Sequence, residues 1–221
     1  LSTVSPLGRP SMRNSGQTCY ISTRLLVPAQ RYDAVVDMVT HTVAAARLGD
    51  PFDPDTVVGP IATRAQYAKV LAYLDSARAD GARATTGGGP AAVERGWYVE
   101  PTVLADVTPG MRVAREEIFG PVMSVLTFTD EDEVIRRANA TRFGLAAGVF
   151  TRDLARGHRV AHRLEAGICW INNYNVTPIE MPFGGTKESG IGHENGQAAI
   201  EHYTQLKSVF VELGPVQCPY E

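Results

Sequence analysis

The sequence lacks the features that mark membrane, secreted and nucleic-acid-binding chains. No apolar run approaches the roughly 20 residues needed to span a bilayer. Cysteine occurs only three times, at Cys19, Cys169 and Cys218. The odd number and wide spacing argue against a disulfide framework or zinc cluster and for a reducing compartment, so a cytoplasmic location is expected. Neither sign of charge dominates. The 21 basic and 24 acidic residues leave a formal net charge of −3 and are interspersed. Without the basic stripe that a phosphate backbone requires, nucleic acid is not an expected partner. There is no internal repeat and no low-complexity tract. Residues 1–13 show no initiator methionine, signal region or periodicity, and are expected to be a displaced or truncated start.

What is present suits a globular domain. The 221 residues, 44% of them hydrophobic, suffice for one large core or one domain plus an appendage. Arg24 to Val27 reads as a short strand. Tyr32, Val35, Val36, Val39 and Val43 then recur at helical spacing until Gly49. Thr63 followed by Gln66 is a capping-box pattern, and Tyr67, Val70, Leu71 and Leu74 give the next helix one apolar face before Gly81. Gly87 to Pro90 marks a turn. Trp97 to Val103 reads as extended, with Pro101 restricting it to an edge or loop.

From Pro121 the alternation sharpens. Val122–Phe128 is apolar and rich in strand formers, Asp130–Asn139 opens with acids, and Leu145–Phe150 is apolar again. Asp153–Leu164 is amphipathic and Ile168–Asn172 is a short apolar run. Strands buried on both faces and joined by helices predict an α/β fold with a parallel sheet and right-handed crossovers. A short helix is expected around Asn195 to His202. Leu206–Leu213 is expected to form a last strand that adds to another sheet, such as that of a neighbouring subunit.

Asn14-Ser15-Gly16-Gln17-Thr18-Cys19 is the stretch with most chemical content. A cysteine behind a Gly-Gln turn is a candidate nucleophile: thiolate sulfur attacks carbonyl carbon, and glycine lets the backbone bring substrate close to nearby amides. The competing reading is a small buried hydrophobe.

Three separated motifs carry a resemblance. They are Gly16-Gln17-Thr18-Cys19 with Arg24, Glu116-Glu117-Ile118-Phe119-Gly120-Pro121-Val122, and Pro182-Phe183-Gly184-Gly185-Thr186-Lys187-Glu188-Ser189-Gly190. In order and spacing they resemble the C-terminal, catalytic half of the aldehyde dehydrogenase superfamily, over Asn14 to Glu212. Glu165 to Asn172 and the following Asn173 to Pro178 look most like the betaine aldehyde and 4-trimethylaminobutyraldehyde dehydrogenases. The resemblance implies a three-layer catalytic domain over residues 14–202, an oligomerisation strand and tail over 203–221, and a dinucleotide-binding domain that would precede this segment.

What the resemblance implies chemically is specific. Cys19 would attack an aldehyde, hydride would pass to NAD or NADP, and water would hydrolyse the resulting thioester. The backbone amide of Cys19 would be one oxyanion donor, an interaction often worth roughly 3 kcal/mol in the transition state. Glu117 matches the acid that binds the nicotinamide ribose, where a carboxylate can accept two hydroxyl hydrogen bonds, and Phe119 matches the aromatic packed beside the nicotinamide. Glu194 matches a proton-relay glutamate; the alternative is an acid complementing a helix N-terminus. Tyr174 and Phe183 match positions lining the aldehyde pocket, where aromatics help hold a trimethylammonium group. Lys187 and Gly190 match positions whose carbonyls bind potassium. The parent enzyme would be a homodimer or homotetramer.

Departures from the pattern matter as well. No Gly-rich strand-to-helix fingerprint precedes Cys19. The family's oxyanion asparagine, active-site lysine and Leu-Glu-Leu-Gly-Gly general base are not found, so most of the cofactor site is expected to be missing and hydrolysis slow. Arg13 stands where the family has an aromatic, and His193 where it has an arginine. Two rival readings follow: an inactive remnant that retains folding or oligomerisation capacity, and a thiol hydrolase pairing Cys19 with His41, His158, His162, His193 or His202.

Overall fold

The computed structural model describes residues 11–216 and 218. A four-stranded sheet runs in the order β1-β4-β3-β2, with β1 at Arg24–Pro28, β2 at Arg83–Thr86, β3 at Thr102–Ala105 and β4 at Val122–Phe128. Strand β4 pairs in parallel with β1, from Arg24↔Ser124 to Pro28↔Phe128, and with β3, from Thr102↔Val122 to Leu104↔Ser124. Strand β2 closes the far edge antiparallel to β3.

The two central strands are apolar on both faces because a helix covers each. Helix α1, Tyr32–Ala44, places Val35, Val36, Val39 and Val43 against Val27, Val103, Ala105, Met123 and Val125. Met12 joins that cluster and is fully buried, so residues just upstream of Asn14 belong to the core. Helix α2, Arg64–Ala79, places Val70, Tyr73, Leu74 and Ala77 against Leu104, Val122 and Leu126. Successive residues of β4 thus alternate between two cores, as the pleat requires, which makes the unit three-layered. At the middle of β4 the buried Ser124 satisfies its hydroxyl on the Val113 carbonyl at 3.1 Å.

The capping box at Thr63 is half formed. Thr63 Oγ1 accepts from the Gln66 amide at 3.2 Å. The Gln66 side chain does not reach back; it crosses to another segment, described below. The Trp97–Val103 prediction is also corrected. Pro101 lies just outside β3, where its missing N–H costs nothing, and Thr102 opens an interior strand by donating its amide to Pro121 O at 2.8 Å.

The second half of the chain follows the predicted alternation. It comprises α3 (Arg112–Arg115), α4 (Glu131–Asn139), β5 (Phe143–Gly144), β6 (Ala146–Val149), α5 (Leu154–Arg163), β7 (Ile168–Ile171), β8 (Thr186–Lys187) and α6 (Ala199–Tyr203). Asp130 and Asp153 cap α4 and α5, accepting from the Glu133 and Arg156 amides at 2.8 and 3.1 Å. Strands β6 and β7 pair in parallel, Ala146↔Ile168 to Val149↔Ile171, but form their own two-stranded sheet instead of extending β4. Strand β8 pairs antiparallel with β5. Leu206–Leu213 forms no strand within this chain. Its apolar side chains lie in solvent, Leu206 fully and Phe210 at 88%.

Candidate active site

The loop before β1 carries Cys19 and is tied down on several sides. The Gln17 amide donates to Asn14 O at 3.0 Å, and Asn14 Nδ2 donates to Gln17 O at 2.8 Å. Ser15 Oγ donates to Gly59 O at 2.8 Å, and Gln17 Oε1 accepts from the Ala62 amide at 3.0 Å. Gly16, at φ +72°, lies so close to Gly120 and Pro121 that an added Cβ would run into their backbone. Only glycine satisfies both the left-handed conformation and the close approach. The side chain of Cys19 emerges from this loop exposed, which removes its reading as a buried hydrophobe.

That same contact brings the Glu117–Gly120 turn to the cysteine loop. Phe119 holds φ +58°, and Gln66 Nε2 donates to both Ile118 O at 2.9 Å and Phe119 O at 2.8 Å. Residues 59–66 therefore clasp both segments, the cysteine loop through Gly59 and Ala62 and the turn through Gln66. Glu117 is exposed on the turn and Phe119 is half-buried. Glu116 faces elsewhere: Arg112 and the Tyr73 hydroxyl bind its carboxylate and hold its pKa below the usual carboxylate range.

Four aromatic rings continue from Cys19. Tyr20 lies edge-on to Phe183, with centroids 5.5 Å apart, and 6.5 Å from Trp170, which packs on Tyr174 at 4.7 Å. Trp170 Nε1 donates to Val176 O at 2.8 Å, and the Tyr174 ring covers Gly148. Burial, with the Cys169 thiol nearby, pushes the Tyr174 phenol pKa upward; burial likewise raises that of Cys169. The structure thus gathers Phe183 and Tyr174 into one aromatic group next to the loop that carries Cys19. Tyr20 and Trp170 complete it and were not singled out in the sequence. The alternation of buried Ile168 and Trp170 along β7 is the signal that points Trp170 inward.

Glu194 joins through the backbone. Phe183 and Glu194 exchange both N–H···O bonds at 2.7 Å, and the Glu194 carboxylate accepts from the Tyr203 hydroxyl at 2.8 and 2.9 Å. It is held by a side chain of α6, not spent on a helix terminus. Lys187, at φ +55°, directs its ammonium to Asn139 O and Thr141 O at 2.9 and 3.2 Å and pairs with Glu165. Gly190, at φ +143°, faces open space. The Asn139 and Thr141 carbonyls thus receive an ammonium group of the chain itself. Among the described residues, no group of three or more His, Cys, Asp or Glu side chains is placed to hold a metal, no histidine hydrogen-bonds to Cys19, and no helix is long and apolar enough to cross a membrane. His193 packs its ring against Gly184.

Comparison with known proteins identifies the family. The profile of the aldehyde dehydrogenase family matches residues 2–209, beginning upstream of Asn14. Betaine aldehyde dehydrogenases from Cereibacter sphaeroides and Brucella anthropi are 57% and 53% identical over 207 and 210 residues, 94% of this chain and 43% of theirs. An NAD-dependent aldehyde dehydrogenase from Sinorhizobium meliloti superposes with a TM-score of 0.93 at 38% identity, covering 99% of this chain and 44% of that one. A Mycobacterium tuberculosis aldehyde dehydrogenase complexed with NAD+ gives 0.91 at 38% identity, over 98% and 45%. The chain therefore spans less than half the length of the relatives it matches, and it belongs to the aldehyde dehydrogenase family.

Proposed function

We propose that this chain is the cysteine-bearing part of an NAD(P)-dependent aldehyde dehydrogenase that oxidises betaine aldehyde, or a similar aminoaldehyde, to its carboxylic acid. The observation that supports the reading is the direct packing of Gly16 on Gly120, which brings the loop that carries the exposed Cys19 against the turn that carries Glu117 and Phe119. Cys19 Sγ adds to the aldehyde carbon, forming the S–C bond and an oxyanion facing the Cys19 amide. Loss of hydride from that carbon leaves a thioester on Cys19. Water then cleaves it, returning the thiol and releasing the acid, with Glu194 moving the proton from its seat against Tyr203.

NAD(P), when bound, supplies the hydride acceptor. The exposed Glu117 carboxylate and the half-buried Phe119 ring suit the nicotinamide–ribose end of such a molecule. The aromatic group Tyr20, Trp170, Tyr174 and Phe183 supports a quaternary ammonium substrate, since rings attract a desolvated cation. A cytoplasmic homodimer or homotetramer, joined through Leu206–Leu213, and a potassium ion on the Lys187 and Gly190 carbonyls belong to the same proposal.

The test is protection of Cys19 from iodoacetamide, followed by peptide mass spectrometry. Betaine aldehyde should protect Cys19 saturably and better than the neutral 3,3-dimethylbutanal, and Tyr174→Ala should erase the difference. Equal protection by the two aldehydes would remove the quaternary ammonium assignment. Alkylation of Cys19 no faster than that of the half-buried Cys169 would remove the nucleophile. NADH formation at 340 nm that survives Cys19→Ala would do the same.

A further inference from the structure

We infer that a small cavity beneath the start of β1 is a binding site for a small oxyanion, built from Arg24, Arg115 and Arg137. The cavity measures about 50 Å³ and is lined by these three arginines together with Ala114, Leu126 and Ala140. One water occupies roughly 10–15 Å³ on this scale, so the space matches acetate or phosphate and is far too small for a nucleotide.

Charge decides the sign of the occupant. Among the described residues, no carboxylate lines the cavity. Glu133 pairs with Arg137 at 2.6 Å and accepts from Thr129, while Glu116 is held by Arg112 and Tyr73. Arg115 is exposed and makes no ion pair among the described residues. Arg24 donates Nη2 to Arg137 O at 2.9 Å, but its Nε is buried and without a partner among the described residues.

A buried donor on a charged group is costly to leave unmet. Burial, which disfavours the charged form, lowers the Arg24 pKa. Water could meet the lone N–H, but it carries no charge to offset the guanidinium groups. An oxyanion instead accepts from the Arg24 Nε and is attracted by the unpaired Arg115, while Arg137 is shared with Glu133 and the Thr127 carbonyl; planar guanidinium donors suit carboxylate and phosphate oxygens. The site lies between the strand that follows Cys19 and the segment that leads to Glu117, apart from the aromatic group, and stands independently of the proposed activity.

The experiment is calorimetric titration of the chain with inorganic phosphate and, separately, with acetate, at constant ionic strength. One saturable site is expected for at least one of the two. Arg115→Ala, which removes an exposed side chain without an ion pair, should weaken it roughly tenfold while leaving the thermal midpoint in anion-free buffer unchanged. Arg24→Met should abolish it. Two results would overturn the inference: no saturable heat with either anion, or affinity unchanged in Arg115→Ala, which would mean an adventitious ion only.

Discussion

Replacing Gly16 by alanine tests whether the cysteine loop is positioned by contact with the Glu117–Gly120 turn. Two costs add. The residue sits at φ +72°, where a Cβ costs about 1–2 kcal/mol. The new methyl would also overlap the Gly120 carbonyl and lie 2.5 Å from Pro121 N, whereas ordinary contact begins at 3.4 Å. Backbone, not a flexible side chain, must then move by roughly 1 Å, and overpacking of that kind costs about 1–3 kcal/mol. The expected loss is therefore about 2–5 kcal/mol in urea-induced unfolding followed by tryptophan fluorescence. Gly89→Ala is the control: its Cβ would meet nothing within 4 Å and its φ is ordinary, so it should change stability by less than about 0.5 kcal/mol. A Gly16→Ala loss as small as that of the control would refute the contact and, with it, the argument that Gly16 sets the separation of Cys19 from Glu117.

Two further outcomes follow from side-chain contacts. Gln66→Leu removes two hydrogen bonds to the Ile118 and Phe119 carbonyls but leaves the Thr63 cap intact, so it should cost about 1–3 kcal/mol in the same assay; a neutral result would mean the turn holds its shape unaided. The Glu194 carboxylate raises the Tyr203 phenol pKa above its ordinary 10.0, chiefly by accepting its hydrogen bond. A raised folded pKa means the contact stabilises the fold below the ordinary phenol range and is lost as pH climbs through the raised value. Glu194→Gln should move the Tyr203 ionisation, followed by absorbance at 295 nm, to lower pH; an unmoved titration would break the Tyr203–Glu194 pairing.

The sequence was legible where local and tertiary preferences agree. The valines of α1, the caps at Thr63, Asp130 and Asp153, and the seven-residue run of β4 each carry a signal within a few residues of themselves, and each element formed where its pattern predicts. Prediction faltered where partners are distant. Nothing in Arg83–Thr86 marks a strand, since half its residues are exposed and its pairing with β3 is supplied from some twenty residues away. Pro101 suggested an edge, yet the strand begins one residue later, in the middle of the sheet. Leu206–Leu213 has a strand's composition without a ladder in this chain. Composition can state a preference for pairing, but the partner's backbone has to be there to satisfy it.

The candidate site shows the same division more sharply. Cys19, Glu117, Phe119, Phe183 and Glu194 could be picked out because each sits in a short, distinctive motif. The groups that join those motifs could not, because they act through general-purpose chemistry. Gln66 looks like one half of a capping box, and only the fold reveals that its amide serves two carbonyls more than fifty residues away. Gly59 and Ala62 contribute nothing but a carbonyl and an N–H. Tyr20 is hidden by its neighbour, since a residue beside a candidate nucleophile is read as part of the loop until its ring is found against Phe183. Motifs therefore locate the candidate groups, while the segments that carry them are held together by residues with no motif of their own. A substitution at residues 59–66 should consequently disturb Cys19 and Glu117 together, and one in the aromatic group should disturb substrate choice while leaving the Cys19 loop in place.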